Sequence, residues 1–477
     1  MHSYYRFLMP RLNGEEIGRN FGHYLSLVKK GVAGYIIFGG RLPEVRKHIG
    51  LLQKEAELPL IIASDLERGL GQQVKGGTSF PPSMALAQAA KKKSGRGAAY
   101  DLPLFRKACS AVAEEAAYAG INTIFAPVLD INTNPKNPII ATRAFGEDAG
   151  TVSLLGSEMI RTFQKRGIAA CGKHFPGHGD TGVDSHISLP VIRRGLSELK
   201  KKELAPFREG IAAGVKMIML GHLSVPALDP SGVPVTLSPK AVKFLRKNMG
   251  YGGIVITDAM NMGGIGKFPE EKASLMALEA GVDVILHPSD ADKVASYLRA
   301  RRVCLDTARL EEFRRGLPNP AEKERPDFRN NSLLAQSLTA KALTLSGRFH
   351  LKKRPLLVIL NDEDDERGTL FANRLKKGLR GLRVMRLNRS SGEAVLTLPE
   401  DAQIIIAIFS ETRGWKGGAG DWLYKAFSGL AERADIFISF GSPYLLDAIE
   451  GAAKLFAYWD APSAQEAAAD LLIKKSS

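Results

Sequence analysis

The chain has little cysteine: Cys109, Cys171 and Cys304 are the only three in 477 residues. Their number is odd, their spacing is wide, and no Cys-x-x-Cys pair occurs. That excludes a disulfide framework and a thiolate metal motif, and it fits a reducing compartment. No apolar run is long enough to span a bilayer. The N-terminus meets Arg11, Glu15 and Glu16 before any apolar stretch could serve as a secretory signal. The expectation is a cytoplasmic protein with no membrane partner. There is no Walker sequence, and Gly177-His178-Gly179 is too short to cradle a phosphate. Repeats and low-complexity tracts are absent as well.

A formal net charge of +16 is present. The basic residues are dispersed. Lys91-Lys92-Lys93, Lys200-Lys201-Lys202 and Arg301-Arg302 lie far apart without interleaved aromatics. Such clusters read as solvated helix faces, so no nucleic-acid partner is expected, although anionic ligands would be attracted. At 44% hydrophobic and 24% charged, the composition is that of a globular protein. The length calls for two domains.

Short apolar, β-rich runs at 7–12, 34–38, 58–64, 123–129, 169–174, 216–220, 254–257 and 282–286 alternate with helical patterns. The clearest helices are expected at 15–29, 104–119, 151–166, 199–213 and 270–280. Continuous apolar strands alternating with helices imply a parallel sheet covered by helices. Eight such units over this length suit a (β/α)8 TIM-like barrel. Asp65, Asp130, Lys173-His174, His222, Asp258 and His287 stand at the C-terminal ends of those runs, which is the active-site face of a barrel. After Phe313 the texture changes to a Pro- and charge-rich linker. Apolar runs at 356–360, 382–387, 403–409, 436–440 and 455–459 then predict a smaller α/β layered sandwich domain. The expected boundaries are 1–315 for the barrel, 316–332 for the linker and 333–477 for the second domain.

Lys173-His174-Phe175-Pro176-Gly177-His178-Gly179-Asp180-Thr181 followed by Asp184-Ser185-His186 concentrates histidines and carboxylates in one Gly- and Pro-bounded loop. Asp184 beside His186 suits proton transfer, since a carboxylate fixes the imidazole tautomer and raises its basicity. A metal site on His174, His178 and His186 is the rival, weakened by the lack of zinc spacing. Asp258, directly after a buried strand, suits a rigidly held nucleophile or a helix cap. Asp65 suits either a pair of sugar hydroxyls or an ion pair with Arg68. Arg143 ends a turn-rich loop and can donate to paired oxygens, while Glu147 and Asp148 read as caps of the following helix.

These motifs resemble those of family 3 glycoside hydrolases, in particular the β-N-acetylglucosaminidase branch. The Lys-His-Phe-Pro-Gly-His-Gly-Asp-Thr and Asp-Ser-His elements carry the likeness, with Asp258, Asp65 and Arg143 in the family's order. The resemblance covers essentially the whole barrel and is weaker beyond it. It implies retaining hydrolysis of terminal β-linked GlcNAc, with peptidoglycan fragments as the carbohydrate substrate and no metal or organic cofactor. Asp258 would be the nucleophile, and His186 oriented by Asp184 the acid/base. Asp65, Arg143, Lys173 and His174 would bind the sugar, with His222 and Met260 lining the pocket and His178 serving loop architecture. The chain departs from the family at Asp65-Leu66-Glu67-Arg68 and at Met260-Asn261-Met262, which bears on substrate choice. A phosphorylase, a β-glucosidase or xylosidase and a non-catalytic sugar-binding barrel are the alternatives. Glu411 is the rival acid, by analogy with the β-glucosidase branch.

Overall fold

The computed structural model describes residues 4–92, 99–182, 184–185, 187–266, 268–303, 305–318, 323–351, 354–363, 365–391, 399–410 and 421–475. By chain contacts it divides into two compact units. The first comprises residues 1–79, 102–137 and 144–332, and the second 80–101, 138–143 and 333–477.

The first unit is a parallel barrel. Its strands are β1 (Leu8–Met9 and Arg11–Asn13, parted by Pro10), β2 (Gly34–Phe38), β3 (Ile61–Ser64), β4 (Thr123–Ile124), β5 (Ala169–Phe175), β6 (Met217–Leu220), β7 (Ile254–Thr257) and β8 (Ile285–Leu286). Each pairs in parallel with the next, from β1 through β7. The Ile256–Val284 bridge joins β7 to β8, and Leu8–Met9 pairs with β8. The ring therefore closes as the (β/α)8 architecture requires. Met9, Ile36, Ile61, Ala63, Phe125, Cys171, Met219, Ile256 and Leu286 fill the interior.

The helices pack outside. Helix Phe21–Lys30 starts six residues later than the apolar pattern alone predicts, after a turn-rich stretch containing Gly14 and Gly18. The expected helix at 199–213 is broken into Leu196–Lys201 and Leu204–Ala212. The break lies beside Glu203, whose side chain turns inward and is buried. Helix Ala149–Lys165 begins at Asp148, whose carboxylate accepts the Thr151 N–H at 2.8 Å. The stretch expected as a linker contributes to helix Phe328–Ala342, and Asn331 donates to the buried Glu115 at 2.9 Å. No helix among the described residues is long and apolar enough to cross a membrane.

The second unit carries strands β9 (Thr344–Ser346), β10 (Pro355–Asn361), β11 (Arg383–Leu387), β12 (Gln403–Ser410), β13 (Ile436–Gly441) and β14 (Ala453–Phe456). Their order is β9-β14-β13-β12-β10-β11, parallel except for β9. Leu357, Ile359, Ile405 and Phe409 meet one helical layer, while Leu356, Val358, Ile404 and Ile406 meet the other. In β10, β12 and β13 both faces are buried, which explains why these strands read as largely unbroken apolar runs.

Replacing Asp148 with alanine removes a helix cap. The expected cost is about 1 kcal/mol, read as a lower denaturant midpoint with an unchanged slope.

Candidate active site

Side chains two residues apart on a strand share a face. Ala63, Cys171 and Ile256 face the barrel axis. Asp65, Lys173 and Asp258 follow them by two residues and so form the next inward layer, at the C-terminal mouth. The same alternation that buries the core thus lifts three ionisable groups onto one rim.

Lys173 is almost fully buried. Its ammonium lies 2.6 Å from Asp65 Oδ1 and 2.7 Å from Glu67 Oε1. Asp65 therefore pairs with Lys173 rather than Arg68, and the two acids fix the ammonium. Asp65 Oδ2 has no partner among the described residues, and the side chain keeps access to the mouth. A carboxylate oriented in this way can accept from sugar hydroxyls.

The Lys173–His174 peptide is cis. Asp130, wholly buried, organises the loop beyond it. Its Oδ2 accepts the His174 Nδ1–H at 2.6 Å. Its Oδ1 accepts the backbone N–H groups of His178 at 2.7 Å and His174 at 3.2 Å. Burial alone would raise the Asp130 pKa, but the two histidines and these donors outweigh it and hold the carboxyl below its usual range. Since an ionised carboxylate only accepts, His174 carries its proton on Nδ1.

His178 is buried, and its ring bridges Thr181 Oγ1 at 2.8 Å and Ser185 Oγ at 2.9 Å. Burial drives its pKa down to about 4 against the partial opposition of Asp130, so the ring is neutral near pH 7. This is structural work, and it bears directly on the Asp184-Ser185-His186 element. Ser185 is held on its other side as well, because its carbonyl accepts the Gly264 N–H at 2.8 Å. A Cβ at Gly264 would stand 2.7 Å from that carbonyl oxygen and 2.8 Å from His222 Cβ, so the approach requires glycine. Asp184 is buried, and its carbonyl accepts from Ile187 and Ser188 at 3.0 and 3.1 Å. His186 lies outside the described residues, as does Glu411.

Asp258 leaves β7 and accepts the Ala259 N–H on Oδ1 at 2.8 Å. It closes a turn rather than capping a helix, since only the short 3-10 turn Gly263–Ile265 follows before Glu270. Burial raises its pKa, but the charges of His174 and His222, the Ala259 N–H and Lys173 bring it below the ordinary value. The result is an ionised carboxylate, as a nucleophile must be. His222 is buried and donates from Nε2 to the Ala259 carbonyl at 3.0 Å, with Nδ1 2.9 Å from Thr236 Oγ1. It thereby braces the turn that carries Asp258. Met260 is buried and bonds through its backbone to Leu286 at 3.0 Å.

Asp65, Lys173, His174, His222, Asp258 and Met260 thus belong to one unit, with Asp184 in the same unit. Arg143 falls in the second unit, in the 3-10 turn Ala141–Arg143, where its guanidinium donates to the Ile139 carbonyl at 3.0 Å. Glu67, Thr181, Ser185, Thr236 and Gly264 were not singled out from the sequence. Of these, Glu67, Thr181 and Ser185 lie inside quoted motifs, whereas Thr236 and Gly264 carried no signal.

The pKa of His178 is about 4 in the fold against an ordinary 6.5, and that of His287 is likewise lowered to about 4 by burial. Between those values the unfolded chain binds more protons. Their contribution is therefore complete above pH 6.5 and is lost as pH falls toward 4. The melting temperature should drop across that window. His178→Gln should flatten the drop, and an unchanged pH profile in that variant would contradict the neutral-histidine assignment.

Comparison with known proteins gives the family. The glycosyl hydrolase family 3 N-terminal domain matches residues 25–312. The chain is 34% identical over 311 residues to a beta-hexosaminidase A of Pseudoalteromonas piscicida, covering 59% of this chain and 51% of that one. It therefore spans about half the length of that relative. It is 31% identical to a beta-hexosaminidase of Bordetella pertussis, covering 66% of this chain and 90% of that one. A solved glycoside hydrolase family 3 beta-N-acetylglucosaminidase from Paenibacillus sp. superposes with a TM-score of 0.83 at 29% identity, covering 100% of this chain and 96% of that one. The chain belongs to glycosyl hydrolase family 3.

Proposed function

We propose that the chain is a retaining exo-β-N-acetylglucosaminidase that hydrolyses terminal β-linked GlcNAc, with peptidoglycan fragments in the cytoplasm as its substrate. The observation that carries the reading is the shared inward layer of an ionised Asp258 and the Lys173-fixed Asp65. The beta-hexosaminidase names of the relatives support the choice of sugar.

Asp258 attacks the anomeric carbon and forms a glycosyl ester as the glycosidic C–O bond breaks. His186, oriented by Asp184, gives its proton to the leaving oxygen. In the second step it takes a proton from water, whose oxygen displaces Asp258 and restores the free carboxylate. Asp65, Lys173 and His174 hold the sugar hydroxyls. His222 and Met260 line the pocket, and His222 acts through the Asp258 turn. Most retaining glycosidases need a carboxylic acid with a raised pKa for the first proton transfer. A histidine begins near pH ~6.5 and needs little tuning. It also leaves the site less negative, which favours a second reading in which phosphate replaces water and the enzyme is a phosphorylase.

Asp258→Ala should lower kcat/KM for aryl β-GlcNAc on the order of 10⁴-fold with the fold intact by circular dichroism; retained activity would refute the nucleophile assignment. His186→Ala should slow glycosides with poor leaving groups by roughly 10²-fold or more and spare activated ones, as a leaving-group series would read. In the presence of phosphate the expected product is free GlcNAc, and GlcNAc-1-phosphate as the main product would select the phosphorylase. A nitrophenyl glycoside panel separates the β-glucosidase and xylosidase readings, which require equal turnover without the acetamido group.

A further inference from the structure

The inward layer that holds Asp65, Lys173 and Asp258 has two further members that the proposed reaction does not use. Arg11 lies two residues beyond Met9 on β1, and Phe38 two beyond Ile36 on β2; Met9 and Ile36 are both in the barrel core. Arg11 also pairs in register with Ile36. Residues paired across parallel strands project to the same face. Arg11 therefore faces the barrel axis one layer above the core, at the mouth, where it is exposed to solvent.

The guanidinium carbon of Arg11 stands 5.1 Å from the centre of the Phe38 ring. No carboxylate pairs with Arg11 among the described residues. The ring of His287, at the end of β8, lies 6.1 Å from that of Phe38. Its backbone N–H is held by the Met9 carbonyl at 2.9 Å. Burial first, and the Arg11 charge second, keep this imidazole neutral. Around the barrel the order runs from Asp258 on β7, past β8, to Arg11 on β1, Phe38 on β2, Asp65 on β3 and Lys173 on β5. A sugar held by Asp65 and Lys173 with its anomeric carbon at Asp258 leaves Arg11 and Phe38 along the remaining arc.

The other ammonium in this layer, Lys173, already has two acids. Arg11 has an aromatic face behind it and a neutral imidazole nearby. The ring narrows its rotamers and shields one face from water. Its planar fork matches a carboxylate or a phosphate in two parallel hydrogen bonds, and such charge-assisted bonds are the strong ones. Covering the cation with a ligand that offers no acceptor would cost desolvation with no return.

We propose that Arg11, backed by Phe38, is an oxyanion-binding subsite of the barrel mouth that takes a carboxylate or phosphate group entering with the sugar. The proposal rests on the sugar-site reading above. The oxyanion has two sources, a carboxylate on the substrate's leaving group or free inorganic phosphate, and they are distinguished by experiment.

The full chain is assayed as wild type, Arg11→Gln and Arg11→Lys. The substrates are a neutral nitrophenyl β-GlcNAc and its ring-carboxylated analogue, with and without inorganic phosphate. Arg11→Gln is expected to lower kcat/KM for the carboxylated glycoside, or to weaken the effect of phosphate, by roughly tenfold to a hundredfold, the worth of a charge-assisted hydrogen bond. The neutral glycoside without phosphate should change by no more than about threefold, and Arg11→Lys should fall between. A loss confined to the carboxylated glycoside identifies the leaving group as the source, and one confined to added phosphate identifies the free anion. Equal losses on all substrates would place Arg11 on the sugar itself and overturn the proposal, as would no loss in either anionic arm. Wild-type turnover of the neutral glycoside tests the enzymatic reading separately. Calorimetric titration with phosphate and with a carboxylated thioglycoside reads the subsite whether or not turnover occurs, and equal affinities in wild type and Arg11→Gln would again overturn it.

Discussion

The alternation of side chains along a strand is the constraint on which this site depends. A parallel barrel closes only if one face of every strand can fill its interior. That requirement fixes Met9, Ile36, Ala63, Cys171 and Ile256 on the axis. It then leaves no choice about where Arg11, Phe38, Asp65, Lys173 and Asp258 project. A slip of one residue in the register of β7 would turn Asp258 outward among the helices and bring Thr257 to the axis. Register, stabilised by the whole core, is thus the device that positions these ionisable groups at the mouth.

Within that frame the buried charges are matched to partners. Lys173 answers Asp65 and Glu67, and Asp130 answers His174 and two backbone donors. Buried charges persist only when paired and hydrogen-bonded. The two sets meet along one stretch of chain, since Lys173 and His174 are adjacent. Among the described residues the Asp258 carboxylate accepts one backbone hydrogen bond, and the cationic surroundings hold its pKa below the ordinary value. A carboxylate stabilised by charge nearby, rather than by a saturated shell of donors, keeps lone pairs available for bonding.

The strand ends were legible because an unbroken apolar run that stops at Asp or Lys is the pattern of a buried strand emerging at a polar mouth. Gly34–Phe38 and Ile254–Thr257 appear with the bounds their sequences imply. The run expected at 123–129 is a strand only at Thr123–Ile124, because Pro127 cannot donate to a ladder. Helix Leu42–Lys54 went unread although Leu42, Val45, Ile49 and Leu52 are its buried face, since Pro43 near its start and Gly50 inside it imitate loop signals. Contacts between distant positions left no trace in the sequence. Lys173 and Asp65 are 108 residues apart, and His222 meets the Ala259 carbonyl across 37. Nothing local in Thr236 marks it as a partner of the site. Likewise, the placement of residues 80–101 and 138–143 with the second unit follows from packing that no periodicity encodes.

The backbone bond from Gly264 to Ser185 joins two loops that lie a quarter of the barrel ring apart, after β7 and β5. One carries the Asp184 element, and the other follows Asp258. Because the bond is main chain to main chain, side-chain substitution cannot erase it, and because Gly264 admits no Cβ, drift at that position is closed off. The two loops are therefore tied in length: an insertion in either would have to be absorbed without moving the shared peptide. Variation in what this barrel mouth accepts is then channelled away from this seam, toward the opposite arc where β1 and β2 end.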